Sequence, residues 1–242
     1  MSKVNADAIK PRDTGLDITL GATGDSTVIS ADSIDVNTVK DSGGNTLWTS
    51  DGSGNLSSIN AGLKGSEVLI LSQTASNSAS ISFTADIDST YNVYVFRFME
   101  INPVSGARLL FQTSIDGGSN YNVTLTSTAF RSIHDEADTD SGLSYRTAGD
   151  QGNGTAYQWL TETIKNDADA CGAGEMFLFN PSSTTYIKHF YSTGQILESS
   201  DYSQELFIGG YFNTTSALNA ISFKMDTGNF DGKIKMYGMS TT

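Results

Sequence analysis

Few side chains in this 242-residue sequence can make or break bonds: one cysteine, two histidines and scattered serines among 27 acidic residues. Residues 24–26 read Gly-Asp-Ser, which could be the serine block of a hydrolase. Such a serine needs a histidine to take its proton, commonly one in a late Asp-x-x-His. The residues three before His134 and His189 are Arg131 and Tyr186, so that partner is missing and a turn is the better reading. There is no Gly-x-Ser-x-Gly elbow, P-loop or His-Glu-x-x-His. Cys171 stands alone, which rules out an intrachain disulfide and a multi-thiolate metal site. It reads as a small buried residue rather than a nucleophile.

The densest group of oxygen ligands is residues 134–142, HDEADTDSG. Asp138, Asp140 and Gly142 echo the start of a calcium loop, but position 149, twelfth from Asp138, is glycine where a bidentate glutamate belongs. A solvated acidic loop is expected there. Residues 40–60 repeat one phrase ten residues apart, Asp41, Gly44 and Asn45 returning as Asp51, Gly54 and Asn55. The phrase lacks the stacked nonapeptides of calcium β-rolls and the lysine of a phosphate cradle, which leaves two successive turns around the strand TLWTS. Paired carboxylates for glycoside hydrolysis would need a spatial separation that the order of residues does not select. His189, alternating with Ile187 and Tyr191, reads as a packed strand histidine. No metal or other cofactor is expected.

Aromatic rings among polar neighbours can stack on sugars or anchor a protein contact. Tyr157 and Trp159 sit in the glycine-rich loop GDQGNGTAYQWL with Tyr145 upstream, making these three the candidate binding residues. Trp159 could equally cap a core.

The elements that would position these rings are strands. Of 24 aromatic residues, only Trp48 precedes Gly65. Residues 16–65 alternate thinly (LDITL, SIDVN), a pattern that needs neighbours, and read as a slender β shaft completed by other copies of the chain. Beyond it, residues 66–242 read as an antiparallel β-sandwich head, most plausibly a jelly roll. YNVYVFRFMEI carries apolar side chains on both faces, as an inner strand does. LLFQTSIDGGSNYNVTL reads as a hairpin about Asp-Gly-Gly. EMFLFN, TYIKHFYS, ELFIGGYFN, NAISFKM and GKIKMYGM continue the strand pattern. In the last, Lys233 and Lys235 face solvent or an exposed edge, opposite Ile234 and Met236. The one weak helical possibility spans residues 156–167.

A net charge of −13 repels nucleic acid and anionic lipid, and no run approaches membrane-spanning length. The first 15 residues lack the apolar stretch of a secretory signal, so a product made in the cytoplasm is expected.

Several phrases carry a resemblance. LDITLGATGDSTVIS and NTVKDSGGNTLWTSDGSGNLSSINAGL resemble the N-terminal and shaft segments of tail-fibre-like proteins from marine bacteriophages, and MSKVNADAIKPRDTG resembles their leader. In the head, TSIDGGSNYNVT, FNPSSTTYIKHFY, GYFNTTSALNAISFKM and GNFDGKIKMYG are similar to phrases of the same proteins. The resemblance implies a homotrimeric, non-enzymatic virion fibre assembled in the host cytoplasm. Residues 1–15 would dock to tail or adaptor proteins, and the head would meet a bacterial surface glycan or outer-membrane protein. A capsid or tail decoration fibre without a receptor role is the alternative, and a fibre-borne glycan depolymerase a more distant one.

Trp48, the only large side chain of the shaft, is placed by this reading at the neck, near the threefold axis or against the head. Trp48→Ala should lower the melting temperature of the oligomer, and an unchanged value would contradict that role.

Overall fold

The computed structural model describes residues 37–60 and 66–239. The leader, the LDITL and SIDVN strands and the Gly-Asp-Ser turn lie outside the described residues. The chain divides into two units, residues 1–58 and 59–242. Its described elements are all strands. The first three are β1 (Thr38–Lys40), β2 (Thr46–Ser50) and β3 (Leu56–Ile59). In the second unit follow β4 (Glu67–Ser78), β5 (Ser80–Phe83), β6 (Val93–Pro103), β7 (Leu109–Ser114), β8 (Leu125–Asp135), β9 (Ser141–Tyr145) and β10 (Gln151–Gly154). After them come β11 (Gln158–Trp159), β12 (Gly172–Phe179), β13 (Lys188–Leu197), β14 (Tyr202–Phe212), β15 (Ala220–Met225) and β16 (Phe230–Met239).

The first three strands form one small sheet in the order β1-β2-β3. The repeated phrase makes both of its turns in the same way. Asp41 Oδ1 accepts from the backbone N–H of Gly43 and Asn45 at 2.9 and 2.8 Å, while Asn45 Nδ2 donates to Asp41 Oδ2 at 3.0 Å. Asp51 does the same with Ser53, Asn55 and the Asn55 amide. Gly44 and Gly54, at φ 81° and 87°, supply the left-handed residue such a turn requires. Trp48 lies on the central strand, opposite Val39 and half-buried.

In the second unit a nine-stranded antiparallel sheet runs β10-β8-β14-β13-β12-β6-β16-β4, with β9 also on β8. A four-stranded sheet, β11-β7-β15-β5, joins it in one hydrophobic core. Alternation along each strand decides what enters that core. From the nine-stranded sheet come Phe96, Phe98, Phe190, Phe212, Ile234 and Met236, and from the smaller one Phe83, Phe111 and Phe223. The rings meet mostly edge-on, Phe83 with Phe96 at 5.6 Å and Phe111 with Phe190 at 5.1 Å. Each such pair contributes about 0.5–1.5 kcal/mol beyond its buried area.

β6 lies between β12 and β16 with Tyr94, Val95, Phe96 and Phe98 fully buried, as its two apolar faces require. Other expectations are corrected. LLFQTSIDGGSNYNVTL is not a hairpin: β7 pairs with β11 and β15, whereas β8 pairs with β14, β10 and β9 in the other sheet. The Asp-Gly-Gly turn does form, but the stretch after it carries the chain from one sheet to the other. Residues 156–167 hold no helix; their backbone is tied along β7, Leu160 N donating to Leu109 O and Ile164 N to Ala107 O. Lys233 and Lys235 do point away from the core, but β16 is internal and β4 takes the edge.

Lys188 is wholly buried on the inner face of β13. Its ammonium donates to the carbonyls of Thr214 and Ser216 at 3.2 and 2.7 Å, pinning the loop before β15. No carboxylate pairs with it among the described residues, and burial holds its pKa below the ordinary lysine value. The unfolded chain therefore binds more protons than the folded one between the depressed pKa and about 10.5. Raising the pH through that window should stabilise the wild type relative to Lys188→Met in paired denaturant titrations. Parallel stability curves for the two proteins would contradict it.

Candidate functional site

The inner face of the nine-stranded sheet packs on the four-stranded one, and its outer face carries aromatic side chains where solvated sheets normally place polar ones. Register aligns them. Leu69 of β4 is opposite Tyr237 of β16, then Val95 of β6, Phe177 of β12 and Tyr191 of β13 follow in one row across five strands. At about 4.8 Å per strand the row spans about 19 Å. The Phe177 and Tyr191 rings stack at 4.7 Å and 21°, and Phe179 lies 5.7 Å from Tyr191. Further along the sheet Phe130 and Phe207 stack at 4.7 Å and 9°. Leu69, Tyr191 and Phe130 remain 50%, 46% and 42% exposed.

An ion-paired cluster borders the row. Arg97 donates from Nη1 and Nη2 to Glu67 at 2.7 and 2.9 Å and from Nε to Glu175 at 3.2 Å, and its guanidinium lies 5.1 Å from the Tyr237 ring centre. On a chain of net charge −13 this is an apolar row with an ion-paired triad at its border. Contiguous exposed apolar surface of this kind marks a contact site.

The three rings picked from the sequence are not brought together. Tyr145 lies on β9, opposite Phe130, so it belongs to the outer face; its hydroxyl donates to Asp150 at 2.6 Å. Tyr157 sits beneath Lys224, whose Nζ is 4.3 Å from the ring centre. Trp159 pairs with Leu110 of β7 and packs against the core. Arg108 covers the indole at 4.2 Å and, with Arg146, pairs with the buried Glu162. His189 is a strand residue but not a packed one: it is exposed on the outer face, 6.1 Å from Tyr211, while Lys188 and Phe190 beside it turn inward. The outer-face residues the sequence reading passed over are Phe177, Phe179, Tyr191, Tyr211 and Tyr237. Their signal is present in EMFLFN, TYIKHFYS, ELFIGGYFN and GKIKMYGM, where bulky residues occupy both phases of the alternation.

An acidic groove of about 530 Å³ lies at one end of the same sheet, lined by His134, Asp135, Asp138, Asp169 and Cys171 among others. His134, Asp135 and Asp138 are already engaged with one another and with the loop. His134 Nδ1 faces Asp135 O at 3.0 Å and Nε2 faces Asp138 at 3.3 Å. Asp135 accepts from the hydroxyl and N–H of Thr139, and the hydroxyl first of all holds its pKa below the usual carboxylate value. Asp140 accepts from the Tyr202 hydroxyl at 3.1 Å. Among the described residues no three His, Cys, Asp or Glu side chains are grouped to hold a metal. Cys171 is exposed rather than buried: it precedes β12 in the outward phase of the alternation, as Ala173 is, while Gly172 between them faces inward.

Asp116 turns the chain after β7 with the bonds seen at Asp41 and Asp51: Asn120 donates its N–H to Oδ1 and its amide to Oδ2, at 2.9 and 2.7 Å. The Ser114 hydroxyl and then Asn120 hold its pKa down, to about 2. The carboxylates of the glycine-rich phrases thus serve as turn anchors. Comparison of the chain with protein-family models, curated proteins and solved structures finds no match.

Proposed function

We propose that the chain is a non-enzymatic bacteriophage tail-fibre or receptor-binding protein. In this reading it is a homotrimer, docked to tail or adaptor proteins through its N-terminus, with a jelly-roll-like head that adheres to a bacterial surface glycan or outer-membrane protein. The observation that carries the reading is the aromatic outer face of the nine-stranded sheet, centred on Phe177 and Tyr191. A surface of partly exposed rings with an ion-paired triad at its border is suited to contact. The phage assignment itself rests on the resemblance of the quoted phrases.

Trimer formation is supported by the aromatic-poor first segment, whose small sheet leaves Trp48 only half-buried within one chain. Weak contacts from three heads would add through avidity.

Particles lacking the chain, compared with particles in which it is restored, should adsorb to host cells at least about tenfold more slowly. Equal adsorption would reject the receptor role and leave a decoration fibre.

A further inference from the structure

Gly209 is the one position in the middle of the aromatic face with no side chain. It lies within the 11-residue strand β14, opposite Tyr191 of β13 on one side and Thr128 of β8 on the other. Glycine weakens a strand interior and needs a reason there. The fold gives none: φ at Gly209 is outside the left-handed region, and a Cβ built on it would meet only Thr128 Oγ1, at 3.9 Å. The contrast with its neighbour is sharp. A Cβ on Gly210, which faces the core, would meet Thr126 O at 2.6 Å and the Phe190 ring at 2.7 Å.

The consequence is a slot. Phe177 and Tyr191 stack at 4.7 Å, which is also the spacing of adjacent strands, so the next ring of that column would stand over Gly209. One face of Tyr191 is covered by Phe177, and the other is turned toward Gly209. Phe207 and Tyr211, two residues before and after Gly209, rise on the same face of β14 and close the slot along the strand. The far wall is Thr128, about 10 Å from Tyr191 across two strand spacings, which leaves room for one ring.

We propose that this slot binds one neutral pyranose ring of a glycan, stacked on the free face of Tyr191. A pyranose has an apolar C–H face for the tyrosine and a rim of hydroxyls that both donate and accept. The surroundings match that division. Thr128, Thr193 and His189 place hydroxyl and imidazole groups around the slot, and the register positions flanking Gly209 hold no carboxylate, ammonium or guanidinium. The Thr128 hydroxyl already donates to the Gly209 carbonyl at 3.4 Å, which leaves its oxygen free to accept from a sugar hydroxyl, and an acidic sugar would find no cation at these positions. The inference rests on the adhesion reading for its biological meaning, but its chemistry is tested separately.

The full chain is titrated with the methyl glycosides of glucose, galactose and N-acetylglucosamine, with phenol as the aromatic control, and followed by saturation-transfer NMR. At least one sugar should bind, at millimolar concentration, with its C–H face receiving the saturation. Gly209→Val fills the slot with a residue that favours strands, so it should melt at or above the wild-type temperature while weakening sugar binding at least tenfold; Tyr191→Ala should weaken it as much. Binding of none of the three sugars, binding of phenol alone, or unchanged sugar binding by Gly209→Val would overturn the proposal. If sugars fail to bind but removal of the chain still abolishes particle adsorption, the slot is rejected and the adhesion reading survives. If sugars bind but adsorption is unchanged, the adhesion reading is the one that fails.

Discussion

A four-stranded sheet can cover only one face of a nine-stranded one, and the rest of the head follows from that mismatch. The inner face takes the phenylalanines that meet edge-on or tilted around Phe96, Phe111 and Phe223, and they supply most of the largest side chains of the core. The outer face receives no second layer among the described residues, yet the strands still place Tyr237, Phe177 and Tyr191 there in register. Val95, flanked by the Tyr237 and Phe177 positions, is fully buried, so part of this face already behaves as core. Lining an uncovered sheet with rings lowers solubility, and the chain's strong negative charge works against the self-association this would otherwise promote. At the border of the row Arg97 bridges Glu67 and Glu175, which offsets part of that charge beside the rings.

The turns follow a second economy. Asp41, Asp51 and Asp116 each use one carboxylate to hold a backbone N–H and the amide of an asparagine four residues on. This replaces the hydrophobic anchoring that short loops lack, and it explains why glycine-rich phrases with ligand-like composition arise in a chain whose turns are dense. Each of these carboxylates is held below its ordinary pKa chiefly by side-chain donors, so each turn is a charged structure at neutral pH.

Much of the fold was legible because strand alternation is a local property. EMFLFN, TYIKHFYS, ELFIGGYFN, NAISFKM and GKIKMYGM all lie in or around strands, and the two turns of residues 40–60 form where the repeated phrase placed them. Pairing was less legible, since it depends on partners far away in the chain. Asp116 makes its turn, yet Phe111 meets Phe223 rather than a residue just past the turn. The same limit explains the site. Tyr157 and Trp159 attracted notice because glycines surround them, a loop signal, but the indole is held by Arg108 and the core. The rings of the outer face come from β12, β13, β14 and β16, and only register reveals that they are neighbours. Periodicity also left the direction of each phase open: Ile187, His189 and Tyr191 share one face as expected, but that face is the solvent one.

The proposed adhesion puts the contact surface of the head on the outer face of the nine-stranded sheet. Hydroxyl-radical footprinting of the full chain, free and bound to envelope vesicles of the host bacterium, reads this directly. Phe177, Tyr191 and Tyr211 should lose reactivity on binding, while Tyr186, 69% exposed and outside the strands, stays reactive. Unchanged reactivity of the outer-face rings, with protection appearing instead at Tyr157 and Trp159, would contradict the account.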